Sequence, residues 1–394
     1  MDKLFLEELL KNISAESFVA NFWDGTSKKF GDGESKFKVT FNKPISKKAI
    51  MEDPSLAFGE AYMNGDIDFE GSIQEIIESI YRNKESFLHN HKLIDKLFKS
   101  KGTSIKEQKQ DISHHYDIGN DFYSLWLDKN LNYSCAYFKN EDDSLDQAQI
   151  NKVDYILKKL NLKPGQSLLD IGCGWGYLIL KAAKLYNVHT VGITLSKEQY
   201  TKVKERIKEN QLENLVEVEF LDYRELPKLN RKFDRVVSIG MIEHVGSANI
   251  PLYMQTVEKV LKDHGVFLLH CITGLLETEC NKWIRRYIFP GGYIPSVREL
   301  ISSFPDLDFH LVDAESLRLH YCKTLENWAF NFEAHLDEVR QKFDERFIRM
   351  WRLYLNSCAA SFHYGTIDIH QFIITKDLNN ELPMTRDYLY THDS

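Results

Sequence analysis

Apolar runs of strand length alternate with amphipathic stretches from Asp111 to the C-terminus. The runs SLLDIG, HTVGIT, VEVEFLD, DRVVSIG and GVFLLHCIT predict buried strands, and Ser196–Asn210 predicts one of the helices between them. Strands that alternate with helices predict an α/β fold with a mainly parallel sheet covered on both faces. Farther along, we expect a long helical stretch from Leu325 to Phe362, and DIHQFIITK fits an antiparallel strand closing the sheet.

The N-terminal part has a different pattern and indicates a small separate α+β domain. KFKVTF predicts a strand, and apolar residues recur at helical spacing between Ile73 and Phe98. This amphipathic stretch either packs on its own domain or meets a membrane or a partner subunit. The polar segment from Lys99 to Gln110 predicts a linker.

Charge changes this picture in one respect. The 394 residues carry a net charge of −8, which argues against a nucleic-acid-binding protein. Two segments, Lys28–Lys48 and Arg82–Lys109, nevertheless each have a local excess of +5. These segments are either solvated faces or surfaces that attract anionic phospholipid headgroups.

Cysteine usage and hydropathy bear on the compartment. The six cysteines form no CxxC pair and no cluster of metal-ligand spacing, so we expect reduced thiols and no metal site. The start MDKLFLEELL is too charged for a secretory signal. Because no apolar run approaches the ~18 residues of a membrane span, any contact with lipid is expected at the membrane surface.

A glycine loop after the first predicted strand of the sheet is the clearest candidate for a binding site. In LLDIGCGWG the strand runs into Gly172, Gly174 and Gly176, which permit a tight turn and close approach of a ligand to the backbone. A dinucleotide site would have G-x-G-x-x-G spacing, whereas this loop has G-x-G-x-G, and Asp170 before it can pair with a cationic amino group. The loop resembles motif I of class I S-adenosylmethionine (SAM)-dependent methyltransferases.

The second strand ends GITLSKEQ, without the acid that usually holds ribose hydroxyls there. Thr194 and Gln199 are polar and can serve instead. The absence of that acid narrows the range of SAM-dependent methyltransferases that the sequence resembles.

Eight segments, in this order, resemble the cyclopropane-fatty-acid synthase family, relatives of the mycolic acid cyclopropane synthases. The resemblance covers essentially Ser113 to the C-terminus, and Asp53–Gly71 looks like the N-terminal domain of the bacterial phospholipid enzymes. The segments are HHYDIGNDFYSLWLDKNLNYSCAYF, DIGCGWG, GITLSKEQ, LDYREL, MIEHVG, LLHCIT, RRYIFPGGYIPS and LRLHYCKTLENW.

The resemblance implies a fold and a domain scheme. The fold is a Rossmann-like, mainly parallel seven-stranded sheet with helices on both faces, preceded by the small α+β domain. Residues 1–98 would form an N-terminal lipid- or membrane-interaction domain, and 99–112 a linker. Residues 113–394 would form the catalytic domain, with a lipid-binding insertion around 275–355.

The reaction implied by the resemblance adds one carbon to an unsaturated phospholipid. The π electrons of a cis double bond in an acyl chain attack the SAM methyl group, S-adenosylhomocysteine (SAH) leaves, and a carbocation forms. An enzyme-bound bicarbonate ion removes a proton from the new methyl group, and a cyclopropane ring closes. The implied setting is cytoplasmic, at the inner face of the membrane, with the enzyme a homodimer.

The family match assigns candidate site residues. The cofactor-binding positions are Tyr133, Ser134, Asp170, Gly172, Gly174, Thr194, Leu195, Ser196, Gln199, Leu221, Asp222, Tyr223, Ile239 and Gly240. Aromatic faces stabilise cations, and the substrate-binding candidates are Tyr137, Tyr287, Phe289 and Tyr293, although Phe289 also fits simple core packing.

Five matched positions would hold the bicarbonate ion: Cys135, Glu243, His270, Ile272 and Tyr321. His270 and Tyr321 can donate hydrogen bonds, as can the backbone N–H groups of Cys135 and Ile272. Glu243 can accept a hydrogen bond from the bicarbonate hydroxyl. Alternatively, Glu243 is itself the base that removes the proton. Cys135 also fits an inert buried thiol, and His270 a core histidine.

Three competing functions stay open. One is a relative that stops at a methyl group or adds water to the cation. A second is a small-molecule N-methyltransferase, and a third is an inactive lipid-binding protein that has kept the fold.

Overall fold

The computed structural model describes residues 3–83 and 118–390. The strands in this part of the chain are β1 Phe18–Asn21, β2 Ser27–Phe30, β3 Phe37–Phe41, β4 Ile67–Glu70, β5 Ser167–Ile171, β6 His189–Thr194, β7 Val216–Phe220, β8 Phe233–Ile239, β9 Leu261–Gly274, β10 Thr278–Glu279, β11 Tyr293–Ile294, β12 Phe309–Ser316 and β13 Ile367–Lys376.

The α-helices in the same residues are α1 Lys3–Lys11, α2 Lys47–Glu52, α3 Pro54–Met63, α4 Ile73–Arg82, α5 Asn120–Tyr123, α6 Leu145–Leu160, α7 Tyr177–Tyr186, α8 Lys197–Glu209, α9 Ile250–Val260, α10 Lys282–Tyr287, α11 Val297–Ser302, α12 Arg318–Ala334, α13 Leu336–Arg340, α14 Glu345–Tyr364 and α15 Asp387–Tyr390.

Seven strands form the main sheet, in the order β12-β13-β9-β8-β5-β6-β7. The five strands from β9 to β7 are parallel, which confirms the predicted α/β class. The predicted late strand is β13, and it is antiparallel to β9. It does not end the sheet, however, because β12 pairs with its other side as the edge strand.

The central strands of the main sheet are buried on both faces, because β5, β6 and β8 are buried at most of their positions. In β5, Leu168 faces one hydrophobic cluster and Leu169 and Ile171 face the other, as the period of two requires. Asp170 therefore shares the face of Leu168, the face covered by α6 and α7. Two-sided burial is typical of sheets whose parallel strands carry a ligand site at their carboxyl ends.

The predicted single helical stretch from Leu325 to Phe362 is wrong in its continuity, because three helices, α12, α13 and α14, occupy this region. The Asp344 side chain accepts a hydrogen bond from the Phe347 backbone N–H at 2.8 Å and so begins a new helix. Apolar periodicity continues across such a break, so periodicity alone does not reveal it.

The chain folds as two compact units. Among the described residues, one unit combines 3–83, 279–290 and 325–366, and the other combines 118–278, 291–324 and 367–390. The predicted domain scheme was contiguous, whereas the first unit gathers three separate segments.

The first unit contains a four-stranded sheet in the order β2-β1-β3-β4. The predicted strand KFKVTF is β3. The described part of the predicted amphipathic helix is α4, which contacts α14 through Tyr81 and Ser361, whose hydroxyls are 3.1 Å apart, and through Glu78 and His363. Helix α4 thus packs within its own unit. The rest of that helix and the linker lie outside the described residues.

No helix in residues 3–83 and 118–390 is long and apolar enough to cross a membrane.

Candidate functional site

The three glycines of the loop after β5 have left-handed backbone conformations, with φ between +54° and +90°. A methyl group on Gly176 would lie 2.9 Å from the Val203 side chain, so Gly176 allows α7 to pack on α8. A methyl group on Gly174 would meet open space. Gly172 and Gly174 line a pocket at the carboxyl ends of the strands, whereas Gly176 has a packing role.

Two buried charged side chains, Asp170 and Lys152, line this pocket. The Lys152 Nζ atom donates to Ser134 Oγ at 2.8 Å. Burial raises the pKa of Asp170 to about 7, although the charge of Lys152 opposes this, and burial lowers the pKa of Lys152 to about 8. The Oδ1 atom of Asp170 is shielded from solvent and has no hydrogen-bond partner within the described residues. The pocket therefore offers an acceptor that a ligand's amino group can satisfy.

The polar residues expected in place of a ribose-binding acid form a small network. The Thr194 hydroxyl donates to Gln199 Oε1 at 2.8 Å and accepts from the Ser196 backbone N–H at 3.1 Å. Ser196 Oγ in turn caps α8 by accepting from the Gln199 N–H. Thr194, Leu195 and Gln199 line the pocket, whereas Ser196 orients the helix that carries Gln199.

The residues after β7 divide in the same way. Leu221 and Tyr223 line the pocket. Asp222 between them accepts from the Arg224 backbone N–H and forms a bidentate pair with the Arg224 guanidinium at 2.8 Å. Asp222 is thus committed to shaping the turn, and its neighbours face the ligand space.

The pocket adjoins the half-buried Glu243 and the buried His270 through the backbone. Gly240 lines the pocket together with Ile239, and its N–H donates to the His270 carbonyl oxygen at 2.9 Å. Two residues farther along β9, the Ile272 N–H donates to Glu243 Oε1 at 2.8 Å. The ion predicted at this N–H would therefore share it with the Glu243 carboxylate.

Glu243 and His270 each retain an unused polar atom. Glu243 Oε2 and His270 Nε2 are shielded from solvent and have no partner in the part of the chain that the structure describes. Burial raises the pKa of Glu243 to about 7 and lowers that of His270, so burial favours the neutral form of each. Polar atoms of this kind also occur elsewhere in the described residues, but these two lie next to the pocket, where a ligand or a reacting group can satisfy them.

Cys135 and Tyr321 both contact the carbonyl group of Leu317, which is linked to the strand pair β13–β9. The Leu317 carbonyl oxygen accepts from the Tyr321 N–H at 3.1 Å and lies 3.9 Å from Cys135 Sγ. The Leu317 N–H donates to the Ile369 carbonyl, and Ile369 lies opposite Ile272 in the β13–β9 register. All five predicted ion-site residues therefore lie in the second unit, on segments that hydrogen bonds and strand pairing join to one another.

The four predicted substrate-binding aromatics have different surroundings. In the second unit, the Tyr137 ring stacks between Tyr155 and His320, with centroids 4.4 and 4.6 Å away. Tyr293 is buried in the core, and its hydroxyl donates to Glu299 at 2.8 Å.

The other two aromatics belong to the first unit. There the Tyr287 hydroxyl donates to Glu60 at 2.6 Å, and the Phe289 ring meets the edge of Tyr354 at 5.7 Å.

Sequence reasoning missed several pocket residues, with Lys152 the most consequential. Lys152 lies in the middle of α6 among other buried positions, and its distance from Ser134 depends on how α6 packs on the sheet. A lysine at a helix position that otherwise faces the core is a usable signal, because lysine is almost never fully buried without a partner. Trp175, Met241 and His244 also line the pocket.

Two regions of the chain match known protein families. Residues 103–372 match the family described as mycolic acid cyclopropane synthetase, and residues 5–92 match a domain of unknown function. A probable fatty acid methyltransferase of Pseudomonas putida is 38% identical, covering 93% of this chain and 95% of the relative. The cyclopropane-fatty-acyl-phospholipid synthase of Escherichia coli is 36% identical, covering 90% and 92%.

A solved structure extends the likeness to three dimensions. The mycolic acid cyclopropane synthase CmaA1 complexed with SAH and CTAB has 34% sequence identity and a TM-score of 0.65, covering 68% of this chain and 98% of that chain. Because the family match spans more than half of the sequence and includes the pocket, the chain belongs to the mycolic acid cyclopropane synthetase family.

Proposed function

We propose that this protein is a cyclopropane-fatty-acyl-phospholipid synthase that uses SAM as its methyl donor. The family membership and the Escherichia coli relative support the reaction class. The observation that carries the proposal is the backbone contact between Gly240, which lines the pocket, and His270. A methyl donor in the pocket would thus have the acid Glu243 and the buried His270 close to it.

SAM fits the polar groups of the pocket. The unpartnered Oδ1 of Asp170 would accept from the amino group of the methionine part, and Lys152 and Ser134 are donors for its carboxylate. Gln199 Oε1 is committed to Thr194, which leaves the amide N–H groups of Gln199 as donors. Leu221 and Tyr223 supply apolar and aromatic surface for adenine.

The reaction begins with an alkene, which has no proton to lose when its π electrons attack, so the first step needs no base. Its π electrons form a bond to the SAM methyl carbon as the carbon–sulfur bond breaks, releasing SAH. The resulting cation then loses one proton from the transferred methyl group, and the freed electron pair closes the ring. The protein must bind both substrates, exclude water and accept one proton.

Glu243 and His270 fit a bicarbonate ion better than a simple spectator anion. His270 Nε2 can donate to an anion, whereas the Glu243 carboxylate needs a donor. Bicarbonate both accepts and donates, so Cys135, Glu243, His270, Ile272 and Tyr321 would hold it. When bound, it supplies a proton acceptor. The alternative is that Glu243 Oε2 accepts the proton directly.

A second candidate is methyl transfer without ring closure. It is favoured by the Pseudomonas putida relative, whose name is probable fatty acid methyltransferase. In that reaction the cation loses a proton from the acyl chain, and the transferred methyl group stays intact.

Trideuteromethyl-labelled SAM and vesicles of unsaturated phospholipid separate the two candidates. Ring closure removes one deuterium from the transferred carbon, so mass spectrometry of the product acyl chain would find two. A branched methyl product would keep all three. A product with three deuterium atoms would overturn the cyclopropane proposal, and a protein that binds no SAM in calorimetry would overturn both.

We further propose that the enzyme acts as a homodimer at the cytoplasmic membrane surface, with residues 1–98 contacting lipid. The segments with excess basic charge support an encounter with anionic headgroups.

A further inference from the structure

A chain of buried polar contacts lies behind His270. The Lys159 Nζ atom donates to Gln371 Oε1 at 2.8 Å, and Gln371 Nε2 lies 2.9 Å from His270 Nδ1. All three side chains are fully buried. Lys159 comes from α6, and Gln371 and His270 are directly opposite each other on β13 and β9.

The donors in this chain determine where the imidazole proton lies. A lysine ammonium group can only donate, so it binds the oxygen of the Gln371 amide and turns the NH₂ group toward His270. Because that NH₂ group can only donate, His270 Nδ1 must accept. A neutral imidazole that accepts at Nδ1 carries its proton at Nε2. That Nε2 atom is the one left without a partner in residues 3–83 and 118–390.

Lys159, the first residue in this series of hydrogen bonds, is itself held in place. Its ammonium group contacts the Glu315 carboxylate, which also accepts from the Tyr155 hydroxyl at 2.9 Å. The same ammonium group lies 4.3 Å from the centroid of the Tyr155 ring. Glu315 and Tyr155 therefore keep Lys159 oriented as the donor to Gln371.

We propose that Lys159 and Gln371 are positioning residues that fix His270 as a donor at Nε2, directed at a bound anion. The assignment rests on the proposed function, in which that anion is bicarbonate. With the opposite tautomer, His270 Nε2 would present a lone pair to the anion and repel it. Lys159 and Gln371 would thus act on the proton-transfer site without touching the substrate or the SAM pocket.

The direct test is nitrogen NMR of the protein labelled with ¹⁵N-histidine, without any ligand. The chain has 14 histidines, so the His270 signals are assigned by their loss in His270→Gln. We expect Nε2 protonated and Nδ1 unprotonated in the wild type. In Gln371→Glu we expect a protonated Nδ1, because a carboxylate can only accept. A wild type with its proton at Nδ1 overturns the proposal, whether or not any variant folds.

Turnover of Gln371→Met provides a second, independent readout. This variant keeps the side-chain length but removes both hydrogen bonds, so we expect product formation to fall at least about tenfold. The SAM dissociation constant should change less than about twofold, because Lys159, Gln371 and His270 do not line the pocket. The control Thr256→Val removes a buried hydroxyl whose bond goes to the Leu252 carbonyl of the same helix, α9, and should retain turnover.

The outcomes separate this inference from the proposed function. Normal turnover of a folded Gln371→Met overturns the positioning role even if labelled SAM gives the cyclopropane product. If the wild type instead gives no cyclopropane but has its His270 proton at Nε2, the proposed function fails and the tautomer assignment stands.

Discussion

At the scale of single residues, Glu243 is a side chain whose removal from solvent costs the folded state stability. Burial raises its pKa from 4.5 to about 7, so the folded state binds this proton more tightly than the unfolded state does. Between about pH 4.5 and 7 the folded state therefore holds the extra proton, and stability falls as pH rises through this window. Above it, the enzyme keeps a buried charge at a cost in stability, as expected of a functional group.

Glu243→Gln should therefore be more stable than the wild type at pH 8. We expect a melting temperature higher by about 2 °C or more, because glutamine removes the buried charge and still accepts from the Ile272 N–H. The difference should vanish near pH 4, where glutamate is protonated in both states. Differential scanning calorimetry measures both values, with the exposed Glu213→Gln as control. A variant less stable than the wild type at pH 8 would contradict the assignment.

The same substitution should nearly abolish cyclopropane formation. We expect a loss of at least about 100-fold in turnover, typical for removing a group that handles a proton, while SAM still binds in calorimetry. For the wild type, turnover should rise as pH increases through about 7, because the ionised carboxylate is the form that accepts the bicarbonate hydrogen bond or, in the alternative, the proton itself. Near-normal turnover in Glu243→Gln, or in His270→Ala, would exclude the proposed proton site.

Lys152 makes a separate prediction for the SAM pocket. Lys152→Met keeps the apolar stem but removes the donor to Ser134 and the positive charge near Asp170. We expect the SAM dissociation constant to increase about tenfold or more, as for the loss of a charge-assisted hydrogen bond. Calorimetric titration tests this, with the exposed Lys184→Met as control. Unchanged affinity would assign Lys152 a purely structural role.

At the scale of elements, the glycine loop allows the backbone cost of a substitution to be distinguished from its effect on ligand binding. Gly174→Ala adds a methyl group where no atom lies within 4 Å, and Gly165→Ala does the same outside the pocket. Both have positive φ, so both should lose about 1 kcal/mol of stability. Only Gly174→Ala should also weaken SAM binding. Equal SAM affinities in the two variants would show that Gly174 serves the turn alone.

The sequence predicted the elements better than the contacts between them. The parallel strands were predictable because short, mostly apolar runs that alternate with helical stretches are typical of a parallel sheet buried on both faces. The edge strand β12 was missed, since FHLVDAES has a mixed pattern in which only two of its eight residues are buried. The contact from Lys159 through Gln371 to His270 joins positions more than 200 residues apart in sequence, and no local pattern encodes it.

At the scale of the whole molecule, ion pairs offset basic charge that the sequence alone shows as a local excess. In the segment Lys28–Lys48, four lysines pair with acids from outside that segment and so lose most of the local excess of +5. The pairs are Lys28 with Glu7, Lys38 with Glu70, Lys43 with Asp66 and Lys48 with Glu52. Pairs of this kind reduce the field that the segment projects toward an anionic surface.

Because acids already engage four lysines of the first segment, we expect the second basic segment, Arg82–Lys109, to contribute more to vesicle binding. Neutralising Lys92, Lys96 and Lys99 to glutamine should weaken binding to anionic vesicles at least about tenfold, since each lysine near such a surface contributes about 1 kcal/mol. Neutralising Lys38, Lys43 and Lys48 changes the net charge equally and serves as the matched control.

Cosedimentation with vesicles at rising salt measures both effects, because screening acts over about 8 Å at physiological ionic strength. We expect wild-type binding to fall with salt and the two triple variants to differ. Equal losses would mean that net charge alone governs the encounter. Binding that does not respond to salt would mean that the basic segments are ordinary solvated surface, and any membrane contact would then have to be apolar.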